Sequence, residues 1–240
     1  IINQSEYFNT PSGNYELFNN IISYKVDNSQ YSSAPIGNYS EKIKINFYKI
    51  LTKKKYVENF LNIVKNLKLN IEDIIPSPLS SSLSSLTKDE KQLGTICIDL
   101  GHSTSSISIF ENNKFVFADA IGVGSNNITL DIARGVSTTI SSAERLKTLY
   151  GSLITSPSDD HEIIEIPIIS EEKNTFKQIS RSNLNSIIKP RVEETLEMLW
   201  QKVKDNNFET KRLNNLVITG GGSQLDGIEK YAETIFASSS

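Results

Sequence analysis

Asp99-Leu100-Gly101-His102-Ser103-Thr104 sets a carboxylate at the end of an apolar run and follows it with small residues. Such residues let backbone N–H groups turn inward as an anion-binding nest, and the carboxylate can hold the water shell of Mg²⁺. Taken alone the stretch reads first as a plain hairpin turn. Leu216-Val217-Ile218-Thr219-Gly220-Gly221-Gly222-Ser223 runs from an apolar strand straight into three glycines. Consecutive glycines cost conformational entropy and suit a flat ligand approaching the main chain near the positive end of a helix. The pattern is neither a Walker A loop nor a dinucleotide fingerprint, and a structural turn fits it as well. Glu144 and Lys147, three apart, share a helix face. They either form a surface ion pair or reach ligand hydroxyls together.

The elements that must position these residues follow from periodicity. Thr95 to Leu100, Ser105 to Phe110 and Lys114 to Ile121 read as a meander of antiparallel strands, with Gly101 to Thr104 at its first corner. Gly122 to Asn127 leads into a helix from about Ile128, and Ser141-Ser142-Ala143-Glu144 offers a capping box for a helix ending near Gly151. Thr87-Lys88-Asp89-Glu90 has the same form, with Gly94 as its stop and a short helix around Leu79, Leu83 and Leu86 before it. Asn215 to Thr219 reads as a buried strand and Leu225 to Phe236 as a helix. Residues 151 to 180 form an insertion with one strand through Ile164, Ile166 and Ile168 and another near Thr175 to Ile179. Asn183 to Lys204 is a long helix with a kink at Pro190. Toward the start, only short strands are expected near Tyr15 to Val26. A half-buried strand follows through Ile43, Ile45 and Phe47, then an amphipathic helix from about 53 to 68.

Composition narrows the function. At 240 residues the chain fits one bilobed body or two small domains, and 38% apolar with 22% charged residues describes a folded globular protein, which the mixed strands and helices above make α/β. A net charge of -3 and pI of 5.6 give no basic face for duplex nucleic acid. Lys53-Lys54-Lys55 reads as a solvated first helical turn. Two histidines and the single Cys97 are too few for a Cys/His zinc site or a Cys-His nucleophile pair, and a reducing compartment fits best. No apolar run approaches the roughly 18 residues of a membrane-spanning helix. The chain starts at Ile1 without Met and stops just after a helical pattern, so it reads as a portion of a longer protein.

The order and spacing of these motifs resemble the actin and Hsp70 superfamily and, within it, the bacterial cell-division FtsA family. Cys97-Ile98-Asp99-Leu100-Gly101 is similar to its second phosphate motif, and Ile128-Thr129-Leu130-Asp131-Ile132-Ala133 to its Ile-Thr-x-Asp-Ile-Ala segment. Ala143-Glu144 with Lys147, Tyr150 and Gly151 resembles the helix that reaches the nucleoside, and Ile218 to Leu225 the adenosine motif. Pro35-Ile36-Gly37-Asn38-Tyr39 resembles a loop of the inserted subdomain particular to this family.

The resemblance implies an actin-like, ribonuclease H-like lobe with an additional small α+β subdomain. Residues 1 to 70 would be that subdomain, 1C, of the SHS2 kind, and 71 to 93 the return through 1A. Residues 94 to 150 and 207 to 240 would form 2A with the start of 2B, and 151 to 206 would form 2B. ATP and Mg²⁺ are the implied cofactors. Asp99 would hold the metal, and Asp99, Gly101, His102, Ser103, Thr104, Glu144, Lys147, Gly220, Gly221, Gly222 and Ser223 would bind the nucleotide. The first phosphate loop would precede Ile1, and a C-terminal amphipathic membrane helix would follow Ser240. The implied function is an ATP-binding adaptor that self-assembles and tethers FtsZ filaments to the inner face of the cytoplasmic membrane. Arg181 and Arg191 would meet the acidic FtsZ tail, with ordinary solvated helix charges as the alternative, and 1C would meet later division proteins. Where the family has Asp-Leu-Gly-Gly-Gly-Thr-Thr-Asp, this chain has His102, Ser103 and Ser106, so at most weak ATP hydrolysis is expected and no catalytic residue is assigned. Ser125 and Asn127 also depart from the usual Gly-Gly-Asn-His loop. The competing resemblances are a type IV pilus adaptor of the PilM kind and an ATPase or kinase of the same superfamily.

Overall fold

Bulges explain why the first strand is hard to read. The computed structural model describes residues 10–27, 29–37, 39–40, 42–167, 176–206 and 215–238. Within it, β1 (Asn14–Val26) is one long strand rather than several short ones. Its pairing with β3 (Ile43–Lys53) slips between Glu16 and Phe18 and again between Ile21 and Ser23. Each extra residue swaps the inward and outward sets, so apolar alternation is lost along the strand. With β2 (Ser29–Tyr31) these strands form an antiparallel sheet in the order β2-β1-β3. The helix α1 (Lys54–Asn66) follows, with Lys54 and Lys55 exposed and Val57 buried. In the Pro35 to Tyr39 loop, Asn38 lies outside the described residues.

A second sheet carries the chemistry. Its meander is β4 (Thr95–Leu100), β5 (Ser105–Glu111) and β6 (Lys114–Ile121), and β9 (Asn215–Thr219) joins parallel to β4 to give the order β6-β5-β4-β9. Both faces are covered, so β4 and β5 are buried almost throughout, the serines of β5 included. Ile96, Ile98 and Leu100 face a core built from α4 (Ser125–Val136), α5 (Ile140–Tyr150), α6 (Arg181–Asp205) and α7 (Ile228–Ser238). Cys97, Phe110 and Phe115 pack on the other side with Leu79 of α2 (Ser77–Ser85) and with Phe18, Tyr48 and Ile50 of the first sheet. Burial pushes the Cys97 thiol up to about 11. The Thr87–Glu90 capping box opens α3 (Lys88–Leu93), which Gly94 closes at φ +100°.

The two sheets are joined by side chains. The Tyr48 hydroxyl donates to the Ala118 carbonyl at 2.7 Å and accepts from the Ala118 N–H at 2.8 Å, and Lys114 donates to the Ile22 carbonyl at 2.8 Å. The edge strand β6 thereby finds partners for backbone groups that no strand pairs.

Two expected boundaries move. The cap of α5 is Thr139, whose hydroxyl accepts from the Ser142 N–H at 3.2 Å, rather than Ser141. After Gly220 comes a 3₁₀ turn over Gly221–Gln224, and α7 begins only at Ile228, past Gly227 at φ +80°. The helix α6 runs on through Pro190. A small hairpin of β7 (Ile163–Pro167) and β8 (Phe176–Ser180) precedes α6, while Ile168 and Thr175 lie outside the described residues. No helix among the described residues is long and apolar enough to cross a membrane.

Candidate functional site at the ends of two parallel strands

Parallel pairing of β4 with β9 sets Asp99 opposite Thr219, so the chain leaves both strands side by side and turns at Gly101 and Gly220. The three glycines then divide the work. Gly220 has φ +85°, and a Cβ there would stand 2.4 Å from Asp99 Oδ1 and 2.6 Å from the Leu100 carbonyl oxygen. A Cβ on Gly222 would meet that of Leu100 at 2.7 Å. Gly221 alone is exposed, with nothing within 4 Å of its added Cβ. Two glycines thus let the corners touch and the middle one faces open space. Ser223 locks the turn, its hydroxyl donating to the Gly220 carbonyl at 2.7 Å.

The opposite corner is tight as well. The Gly101 N–H donates to the Thr104 carbonyl at 3.0 Å, which leaves His102, Ser103 and Thr104 exposed at the tip. Behind it, Asp99 Oδ2 accepts from the Ser81 hydroxyl of α2 at 2.5 Å. Ser81 sits in a serine run without periodic signal, and sequence reading missed it.

The start of α4 bolts onto this hairpin. Ser125 donates to the Gly101 carbonyl through both its N–H and its hydroxyl, each at 2.9 Å, and the Asn126 N–H donates to the His102 carbonyl at 2.8 Å. Asn127 Oδ1 accepts from the Gly124 N–H at 3.1 Å. Ser125 and Asn127, which depart from the usual Gly-Gly-Asn-His loop, therefore hold this loop internally. Leu100, Gly124, Ser125, Gly222 and Leu225 line one pocket together with Ser105, whose buried hydroxyl has no hydrogen-bond partner among the described residues.

From α5, Lys147 Nζ donates to the Ser125 carbonyl at 3.2 Å, Thr129 Oγ1 at 2.9 Å and Glu144 Oε2 at 2.7 Å. Burial disfavours the Glu144 carboxylate, but hydrogen bonds from Lys147 and Thr129, with the charges of Lys147 and His102, outweigh it and hold its pKa below the usual range. Contacts thus run from Glu144 and Lys147 through Ser125 to Gly101, and from Gly220 and Gly222 to Asp99 and Leu100. Among the described residues no group of three metal-ligating side chains accompanies Asp99.

Arg181 and Arg191 stand elsewhere, about 15 Å apart along α6. Arg181 donates to the Tyr150 carbonyl and to Glu162 Oε2, both at 3.1 Å. Arg191 Nε donates to Asp131 Oδ2 at 2.5 Å, and its guanidinium also pairs with Glu194. Neither is a free solvated charge.

Residues 96–239, which include both corners, α4 and α5, match the family described as Cell division protein FtsA. The chain belongs to the FtsA family. It is 35% identical over 189 residues to cell division protein FtsA of Agrobacterium fabrum and 33% identical over 187 residues to that of Bacillus subtilis. Each match covers 78% of this chain and 43% or 42% of the relative, so the chain spans less than half the length of these FtsA proteins. The fold is actin-like. MreB5 of Spiroplasma citri bound to AMPPNP matches with a TM-score of 0.63 at 19% identity, over 78% of this chain and 59% of that one. The PilM-PilN type IV pilus biogenesis complex matches with a TM-score of 0.61 at 13% identity, over 98% of this chain and 57% of that one.

Proposed function

We propose that this FtsA-family chain supplies one wall of an ATP site in a self-assembling protein that tethers FtsZ filaments to the inner face of the cytoplasmic membrane. The observation that carries the reading is the contact between the two glycine corners, at Gly101 and at Gly220 to Gly222, beside a half-exposed carboxylate. Solved MreB5 structures of the same fold hold AMPPNP and ADP.

The residues suit that ligand. The exposed tip from His102 to Thr104 offers main-chain N–H groups to phosphate, and Gly221 leaves room for a flat ring. Asp99, fixed by Ser81, would hold the water shell of Mg²⁺, which would neutralise phosphate charge. Glu144 would take the ribose hydroxyls. Ser106, opposite Asp99 in the ladder, brings no second carboxylate, which favours binding with at most weak hydrolysis. The first sheet with α1 corresponds to 1C, the four-stranded sheet with α4, α5 and α7 to 2A, and the β7-β8 hairpin with α6 to 2B. Arg181 and Arg191 on α6 are the proposed contacts for the acidic FtsZ tail, 1C for later division proteins, and a helix beyond this chain for the membrane. The pilus-adaptor alternative rests on shape at 13% identity, whereas the 35% identity favours FtsA.

Calorimetry of the intact protein with ATP tests the reading. Saturable binding that weakens when Mg²⁺ is chelated is expected, and absence of binding overturns it.

A further inference from the structure

The corner at Gly101 turns its carbonyls toward α4 and leaves its side chains outside. The Ser125 and Asn126 N–H groups, at the positive end of that helix, donate to the Gly101 and His102 carbonyls at 2.9 and 2.8 Å. Gly124 packs so closely that an added Cβ would strike the His102 carbonyl oxygen. These helix-end donors are therefore engaged by the corner itself rather than by an incoming anion. On α5, Lys147 directs its ammonium at the Ser125 carbonyl, Thr129 and Glu144. Asp99 and Glu144 add negative charge. An anion at this corner needs a positive group that faces outward, and the His102 side chain, exposed at the tip, is of the right type. Burial weighs against the Glu144 carboxylate, the Lys147 and Thr129 hydrogen bonds favour it, and the charge of His102 also reaches it. Where the family motif has glycine, this imidazole is an addition peculiar to the chain.

We propose that the His102 imidazole contacts the phosphates of the nucleotide, so that ATP binds more tightly as the pH falls and the ring gains its proton. The inference rests on the ATP reading above and goes beyond it, because that reading uses only main-chain N–H groups of this corner. Imidazole is the side chain whose charge ordinarily changes between about pH 5 and 8. The charged groups facing it are Asp99 at the end of β4 and Glu144 and Lys147 on α5. The first turn of α4 brings only Ser125, Asn126 and Asn127, and the turn over Gly221–Gln224 carries no charge. Glu144 is already paired with Lys147, so a polyphosphate competes well for the protonated ring.

The test is calorimetry with ATP and Mg²⁺ between about pH 6 and 8, where imidazole titrates, on the intact protein and on His102→Asn and His102→Lys. Protonation of ATP itself is common to every protein in the comparison, so differences between them isolate the ring. From the upper to the lower pH, wild type is expected to gain about threefold over His102→Asn, the size of one exposed charge pair. His102→Lys keeps its charge throughout, and is expected to exceed wild type at the upper pH and to match it at the lower. A merely structural part in the corner would weaken ATP equally at every pH, so parallel profiles for wild type and His102→Asn overturn the inference. So does a wild type that loses ground to His102→Asn as the pH falls, the result if the ring pairs with Glu144 at the expense of the ligand. Failure of wild type to bind ATP at any pH overturns the ATP reading and this inference with it.

Discussion

Gly220 lies against Asp99 so closely that a Cβ on the glycine would stand 2.4 Å from the carboxylate oxygen Oδ1. Gly220→Ala therefore meets both a positive φ and an occupied space. We expect it to cost roughly 2 kcal/mol or more and to impair ATP binding by parting the corners. Gly221→Ala meets nothing, so thermal unfolding is expected to shift by no more than a degree or two while calorimetry shows weaker ATP binding. Equal affinity in Gly221→Ala and wild type removes that glycine from the site.

Arg191 joins α6 to α4 through Asp131, and it is also a proposed contact for an acidic tail. Arg191→Glu is expected to weaken an FtsZ tail peptide several-fold in calorimetry and to lower stability by about 1 kcal/mol. Asp131→Asn loses the same ion pair while keeping the arginine charge, and should retain the peptide. Unchanged affinity in Arg191→Glu takes this arginine out of the docking surface.

Tyr48 satisfies both backbone groups of Ala118. Tyr48→Phe keeps the ring packed and leaves that pair without the hydroxyl, a loss of about 1–3 kcal/mol. Hydrogen exchange should quicken at the Ala118 amide before it does in β4. A protection pattern identical to wild type counts against the latch.

Glu90 is held below the usual glutamate range by the Thr87 backbone N–H and hydroxyl. A depressed carboxyl stabilises the fold at pH values above its unfolded pKa, and the gain fades as pH falls through the lower folded value. Thr87→Ala should cost about 1 kcal/mol at neutral pH and less once the pH has fallen through the folded value of Glu90. Denaturant midpoints measured across that range decide it, and a pH-independent difference contradicts the capping box.

Local signals carried much of the fold. The Thr87–Glu90 box needs four consecutive residues, the β4-β5-β6 meander declares itself through dense apolar runs, and α6 through a repeat of three and four. The strand β1 was obscured because its two bulges break the alternation that marks a strand. The glycine corners were visible as composition, but only the parallel pairing of β4 with β9 shows that two of the glycines are there for contact and one for space. Ser81 and Thr129 carry no trace of their roles, since their partners lie 18 and 15 residues away. The pairing of Arg191 with Asp131 left no mark in the sequence, because the two are 60 residues apart in the chain.

The ladder between β4 and β9 also acts as a ruler. Neighbouring strands stand about 4.8 Å apart, and hydrogen bonds along the pair resist any change in that spacing. The gap between these two turns is consequently rigid. If nucleotide exchange requires the binding crevice to gape and shut, that movement belongs to whatever forms its far side, while this lobe serves as the stationary jaw.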